Sequence, residues 1–314
     1  MHVVLASHYR LPVTRYGGTE RVVVALARGL AALGHRVTLI AAPGTVIPEA
    51  TVIEADAAML TGPDVDLAEL MPRDADVLHL HFNVRRTPSR PFLQTVHGEL
   101  RAGASAPNGV FLSQNHARRH HTDVFVYNGL DPADFTFRAT KDDYDLFLGR
   151  LHTVKGYRWA VEGASRTHRK LYLVGGWRPS FRRGIRYLGK VDQAKKVALL
   201  AGARCLWVPA LWDEQFGLTT IEGLFSGTPV LATRRGSLPE LVTREVGALC
   251  DTLEEMIAAV RTIHTRKPEA CRAHAERYFS HIAMARAYVR MYDGLLATGA
   301  LPAGQATPYA PTSA

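Results

Sequence analysis

What most constrains the fold of this chain is the regular exchange of short, almost continuous apolar runs with longer amphipathic stretches. Residues 3–6 form the first run. A helical pattern over 20–33 follows, closed by Gly34, and then a second run at 37–40. Further runs stand at 76–80, 92–96, 110–112 and 124–127. Runs this short, without strict apolar–polar alternation, suit parallel strands covered by helices on both faces.

The pattern then starts again. Residues 128–143 are rich in turn formers and charge and read as a boundary. A strand at 146–148, a helix at 156–166 and a strand at 171–174 follow. A helix at 194–201 and strands at 205–208 and 230–231 continue the series, and the last third is helical. The reading is α/β, with two Rossmann-like domains facing a cleft: residues 1–140, residues 141–298 and a disordered tail at 299–314. Open sheets of this kind place ligands at the carboxyl ends of their strands.

Length and composition agree. The 314 residues are enough for two domains of ~150 each. With 47% apolar and 21% charged residues, disordered and fibrous classes are excluded. No apolar stretch approaches the ~20 residues of a membrane span. Residues 2–7 are too short for a signal-peptide core and lack a basic leader, so they read as a buried strand. The three cysteines, Cys205, Cys250 and Cys271, give neither a disulfide framework nor a metal-knuckle spacing, and a reducing cytoplasm is the simplest address. The net charge of +9 attracts phosphate of any kind. Its basic residues are scattered, however, with no basic tail or helical stripe, so no nucleic-acid partner is expected.

Three segments carry chemistry. Gly17-Gly18, between the first strand and the first helix, lets the backbone approach a phosphate at a helix N-terminus. A tight loop that simply needs glycine is an equal reading. Arg150 follows the end of the 146–148 strand and Lys155 stands just before a helix. A planar fork and a point charge so placed can clamp a diphosphate, although most such residues are solvated surface charges. The strongest signal is Glu214-Gln215-Phe216-Gly217-Leu218-Thr219-Thr220-Ile221-Glu222. In a continuous helix the two carboxylates would stand ~12 Å apart, too far for a retaining glycosidase pair. Gly217 instead suggests a loop, which leaves Glu214 at the ligand and Glu222 in the first turns of a helix. Carboxylates accept two hydroxyls well and suit sugar or ribose, while a first-turn glutamate also answers the helix dipole.

These motifs, in this order, resemble glycosyltransferase family 4. The likeness lies in Glu214-x7-Glu222 enclosing Phe216-Gly217, then Gly227-Thr228-Pro229-Val230, Gly149-Arg150 with Lys155-Gly156, Gly17-Gly18, Asn128-Gly129-Leu130-Asp131 and Gly236 with Pro239-Glu240. It covers roughly residues 3–260. The segment from Tyr16 to Val23, with Gly34-His35, is similar to members that use UDP-glucose. The resemblance implies a GT-B fold and a retaining, metal-independent transferase that needs no cofactor and takes a sugar, UDP-glucose or a related UDP-sugar, from its nucleotide. Arg150 and Lys155 would then hold the diphosphate and Glu222 the ribose. Glu214, with backbone at Phe216, Gly217, Leu218 and Thr219, would hold the sugar, and backbone at Tyr187 and Leu188 would face the base. His97, in Val96-His97-Gly98 after a strand end, matches the family's histidine near the reacting centre. The last helix would pack back on the acceptor-side N-terminal domain.

Residues 42–76 depart from the family, holding little beyond Pro, Gly and acidic residues. Asp64-Val65-Asp66 looks like a metal-binding Asp-x-Asp but reads better as the start of a capped helix. The cluster Arg85-Arg86-Thr87-Pro88-Ser89-Arg90 offers weak contact with an anionic membrane surface, or is a solvated loop. The acceptor is unknown. Alternative readings are a nucleotide-sugar epimerase or phosphorylase on the same architecture, and a binding module without catalysis.

Overall fold

The computed structural model describes residues 1–13, 17–62, 64–101 and 103–302. Tyr16, and residues 303–314 of the expected disordered tail, lie outside the described residues. The chain divides into two compact units, one formed by Met1–Asp131 with the chain from Tyr278, the other by Pro132–Arg277.

In the first unit, β1 (His2–Ala6), β2 (Arg36–Ala41), β3 (Thr51–Glu54), β4 (Val77–Leu80), β5 (Phe92–Thr95) and β6 (Gly109–Val110) form one sheet in the order β3-β2-β1-β4-β5-β6. Every pairing is parallel, with Val3 opposite both Val37 and Val77. Helix α1 (Gly18–Ala32) buries Val22, Val23, Leu26, Ala27 and Leu30 along one face. Gly34 follows it at a φ of +82°. The short α2 (Ala57–Leu60) and α3 (Gln114–Arg119) also belong to this half, the latter capped by the Ser113 hydroxyl accepting from the His116 N–H.

In the second unit, β7 (Asp145–Leu148), β8 (Leu171–Val174), β9 (Ile185–Tyr187), β10 (Cys205–Val208), β11 (Val230–Thr233) and β12 (Gly247–Cys250) run in the order β12-β11-β10-β7-β8-β9, again all parallel. Counted within each unit, both sheets have the 3-2-1-4-5-6 order, whose switch point lies between the first and fourth strands. Here that point falls between β1 and β4, and between β7 and β10. Helices α4 (Tyr157–Arg166), α5 (Gln193–Gly202), α6 (Leu218–Phe225), α7 (Leu238–Leu241), α8 (Leu253–Ala259) and α9 (Pro268–Phe279) accompany the second sheet. Its core includes the fully buried Trp207, whose indole N–H donates to Asp145. Arg204 grips that same buried carboxylate with two hydrogen bonds, of 2.8 and 3.0 Å. The last helix, α10 (His281–Thr298), belongs to the first unit and lies against α1, where Gly29 meets His281 and Ala285.

Several expectations need correction. The second unit starts at Pro132, not at residue 141, because the connecting segment docks on it: the Lys141 ammonium donates to the Ala201 and Ser226 carbonyls. Residues 124–127 form no strand but a single bridge, Phe111 to Phe125. Residues 42–76 are richer than expected, holding β3, α2 and a 3-10 turn at Leu67–Leu70. Asp66 caps that turn by accepting from the Ala68 N–H, and it also accepts from Ser89. In the basic cluster, Arg86 donates to the Asp64 carbonyl and Arg90 to those of Pro72 and Ala75, so two of its three arginines bind their own chain. Among the described residues, no helix is long and apolar enough to cross a membrane.

Candidate functional site

In the second unit the expected residues gather at the carboxyl ends of β7 and β10, on either side of the switch point. The chain leaves β7 through Gly149 and Arg150, makes a 3-10 turn at Thr153–Lys155 and enters α4 through Gly156. Gly156 adopts a φ of +70°, and a Cβ there would lie 1.6 Å from the Pro209 carbonyl oxygen. Only glycine therefore lets this turn lie against the loop after β10. The Leu211 N–H donates to the Val154 carbonyl at 2.7 Å and ties the two loops together.

This packing brings Lys155 onto Glu214. The ammonium donates to both carboxylate oxygens, at 2.9 and 2.7 Å, and lies 4.6 Å from the centre of the Trp212 ring. The Trp212 indole N–H donates to the same carboxylate at 2.8 Å. The loop after β11 supports Glu214 from behind. Its carbonyl accepts from the Ser237 N–H, and a Cβ on Gly236 would lie 2.3 Å from both the Glu214 nitrogen and oxygen. Arg150, which follows Gly149 at the end of β7, is exposed.

Glu214 and Glu222 have different surroundings. Gly217, at a φ of +92°, opens α6, and the first-turn N–H groups at Leu218 and Thr219 find no acceptor inside the helix. Phe216 is buried, and its carbonyl accepts from the Ser237 hydroxyl at 2.6 Å. Glu222 sits inside α6, almost completely buried, and takes a hydrogen bond from the Lys196 ammonium at 3.2 Å. Tyr187 ends the edge strand β9, and burial pushes its hydroxyl pKa up. The Leu188 N–H donates to the Leu173 carbonyl.

The remaining expected residues belong to the first unit. Gly17 is the extended N-cap of α1, and the Glu20 carboxylate lies over it, 2.6 Å from where a Cβ would stand. His97 follows β5 and is partly exposed, with its Nε2 3.0 Å from Nδ1 of His81. Burial, and then the charge of His116, push the His97 pKa down to about 3; burial also holds His81 and His79 well below the usual value. Both rings of the pair are therefore neutral at neutral pH.

Sequence reasoning missed Trp212 and His81. The signal for His81 was present in His79-Leu80-His81, whose alternation sets two rings on one side of a strand end. Among the described residues, Glu99, His116 and His120 could each offer one metal-ligand atom, all within 4.8 Å of one another. The Glu99 carboxylate, however, is paired with Arg119, and His116 Nδ1 accepts from the Leu112 N–H, which puts the ring proton on the other nitrogen.

Residues 144–266 match the family model of Glycosyl transferases group 1. The O-antigen chain mannosyltransferase C of Escherichia coli is 24% identical over 62% of this chain and 60% of its own length. A GDP-mannose-dependent alpha-(1-6)-phosphatidylinositol dimannoside mannosyltransferase of Mycobacterium tuberculosis is 40% identical over 95 residues, 30% of this chain and 24% of its own length. This chain thus spans less than two thirds of these curated relatives. Among solved structures, AviGT4, a glycosyltransferase involved in Avilamycin A biosynthesis, matches with a TM-score of 0.79 and 26% identity, over 95% of this chain and 98% of that one. Residues 144–266, within the second unit, are thus similar to the group 1 glycosyl transferases, and the chain resembles a solved glycosyltransferase over nearly its whole length.

Proposed function

We propose that the chain is a glycosyltransferase that moves a hexose from a nucleoside-diphosphate sugar to an acceptor with retention at the anomeric carbon. The observation that carries this reading is the Lys155–Glu214 pair, buttressed by Trp212 and Gly236 at the switch point of the second sheet. Breaking the bond between anomeric carbon and phosphate puts negative charge on the leaving phosphate while the sugar becomes cation-like. Lys155 and Arg150 supply positive charge to the first. Glu214 accepts hydrogen bonds from the hydroxyls of the second. The cation and the carboxylate hold each other in place, at 2.9 and 2.7 Å, which is the preorganisation that electrostatic catalysis needs.

Glu222 takes the ribose hydroxyls in this reading, with Lys196 holding its carboxylate in place. Backbone at Phe216, Gly217, Leu218 and Thr219 lines the sugar, and Tyr187 and Leu188 stand at the base. In the first unit, His97, Gly17 and Gly18 serve the reacting centre and the phosphates. The donor is a UDP-sugar, with UDP-glucose first, on the likeness of the Gly17-Gly18-Thr19-Glu20-Arg21 segment. A mannosyl donor is the competing choice, since the mycobacterial relative is named for GDP-mannose.

Purified protein incubated with UDP-glucose or GDP-mannose and a panel of glycoside acceptors tests this directly. Transfer from UDP-glucose that survives EDTA, with retention seen by NMR, is the expected result. Transfer from GDP-mannose alone overturns the uridine assignment. Loss on chelation, restored by Mn²⁺, overturns metal independence.

A further inference from the structure

We propose that His81 is a positioning residue that fixes His97 as its Nδ1–H tautomer, so that His97 offers the substrate a hydrogen-bond donor rather than a base. The inference rests on the reading of His97 as a residue of the reacting centre and defines what that ring can do there.

His79, completely buried on β4, has both nitrogens engaged: Nδ1 lies 2.7 Å from the Tyr292 hydroxyl and Nε2 2.7 Å from the Thr95 hydroxyl. Thr95 in turn lies 2.6 Å from the Tyr288 hydroxyl. This network joins β4 and β5 to α10 and leaves His79 no freedom to turn. The His81 ring stacks on it, with centroids 4.3 Å apart and planes inclined by 28°. His81 is itself 4% exposed, and its Nδ1 reaches the His97 Nε2 at 3.0 Å.

A neutral imidazole has one donor and one acceptor nitrogen, so this contact holds a single proton. If His97 donated it, the proton of His81 would sit on Nε2, a buried atom with no hydrogen-bond partner among the described residues. A buried N–H without an acceptor is the rarer defect; an acceptor left bare is tolerated more often. The favoured arrangement has His81 Nδ1–H donating to His97 Nε2. The proton of His97 then stands on Nδ1, the nitrogen turned away from His81 on the partly exposed ring. Such an N–H can bind a sugar hydroxyl oxygen or a phosphate oxygen. It cannot take a proton from an attacking hydroxyl, so the ring orients or polarises the donor and does not deprotonate the acceptor. Fixing a histidine's tautomer through its other nitrogen is a general device for setting which face of the ring does chemistry.

The test is long-range ¹H–¹⁵N NMR of the full chain with labelled histidine at pH 7.5, His97 being assigned from the signals lost in His97→Phe. The expected wild-type spectrum shows His97 protonated at Nδ1. His81→Leu should mix the tautomers and lower kcat for sugar transfer about tenfold, with the donor KM unchanged. His81→Asn keeps an N–H donor near the position of Nδ1 and should restore both the tautomer and most of kcat. A wild-type His97 protonated at Nε2 overturns the proposal. So does a folded His81→Leu in which tautomer and kcat are unchanged; should that variant not fold, the wild-type and His81→Asn spectra still decide. The expected tautomer together with full transfer by His97→Phe would overturn the functional role given to His97 and leave the tautomer standing.

Discussion

Lys155 and Glu214 touch each other but should fail differently when changed. The pair is partly exposed, with side-chain exposures of 26% and 14%, so losing it costs about 1 kcal/mol of stability or less. Lys155→Met should therefore fold normally and bind nucleoside diphosphate roughly 10- to 150-fold more weakly, the cost of one charge-assisted contact. Glu214→Gln should keep that affinity and lose kcat, because its partner is the sugar whose position changes as the bond breaks. Calorimetry and initial rates on both variants check this, and the roles are reversed if Glu214→Gln is the one that abolishes binding. Glu222 is the contrasting carboxylate, with side-chain exposures of 3% for itself and 10% for Lys196. Removing one partner of so buried a pair costs ~3 kcal/mol or more. Glu222→Leu should show a clear fall in melting temperature, and adding Lys196→Met should recover part of it. A double-mutant cycle with no coupling would contradict the pair's structural share.

At the scale of elements, the site is held by loops that glycine allows to touch. Gly156→Ala must move Pro209 or give up its left-handed turn, and Gly236→Ala must move the Glu214 backbone. Each should lose about 1–3 kcal/mol of stability, with Gly156→Ala weakening diphosphate binding and Gly236→Ala lowering kcat. Thermal melts and calorimetry on both variants test this; unchanged binding and turnover would mean that the loops adjust freely. The same elements explain what could be read beforehand. The central strands β1, β2, β4, β5, β7, β8, β10 and β11 are buried on both faces and announce themselves as apolar runs. The strands that escaped, β3, β9 and β12, are all edges, such as Thr51-Val52-Ile53-Glu54 with its exposed ends. A strand covered on one side only has no reason to be continuously apolar. Glu214, Lys155 and Arg150 were legible because strand ends and glycines mark where loops turn. Trp212 was not, because its place against Lys155 joins residues far apart in sequence, and the alternation at His79-Leu80-His81 could not by itself reveal the contact of His81 with His97 one strand away.

For the whole molecule, the buried histidines predict sensitivity to acid. His79, His81, His97 and His116 are all pushed down, by burial first, His97 to about 3 and His116 to about 4. The unfolded chain binds protons at these sites near pH 6.5, whereas the folded chain does not until far lower. Stability is thus complete above pH 6.5 and falls as pH drops toward 4, by up to ~1.4 kcal/mol per pH unit for each histidine. Melting temperatures at pH 7.5, 6.0 and 5.0 should decline steadily, and a flat profile would contradict this account of the first unit. Two sheets of one strand order, with a buttressed cation and carboxylate at the switch point of the second, form the basis of the functional reading. It stands or falls on stoichiometry. With a labelled nucleotide sugar and a competent acceptor from a glycoside screen, nucleoside diphosphate and new glycoside should appear one for one. Without acceptor only slow hydrolysis should remain, and Lys155→Met should depress both products together. Nucleotide release unconnected to glycoside, sugar interconversion without transfer, or binding of the donor with no turnover under any acceptor would contradict it.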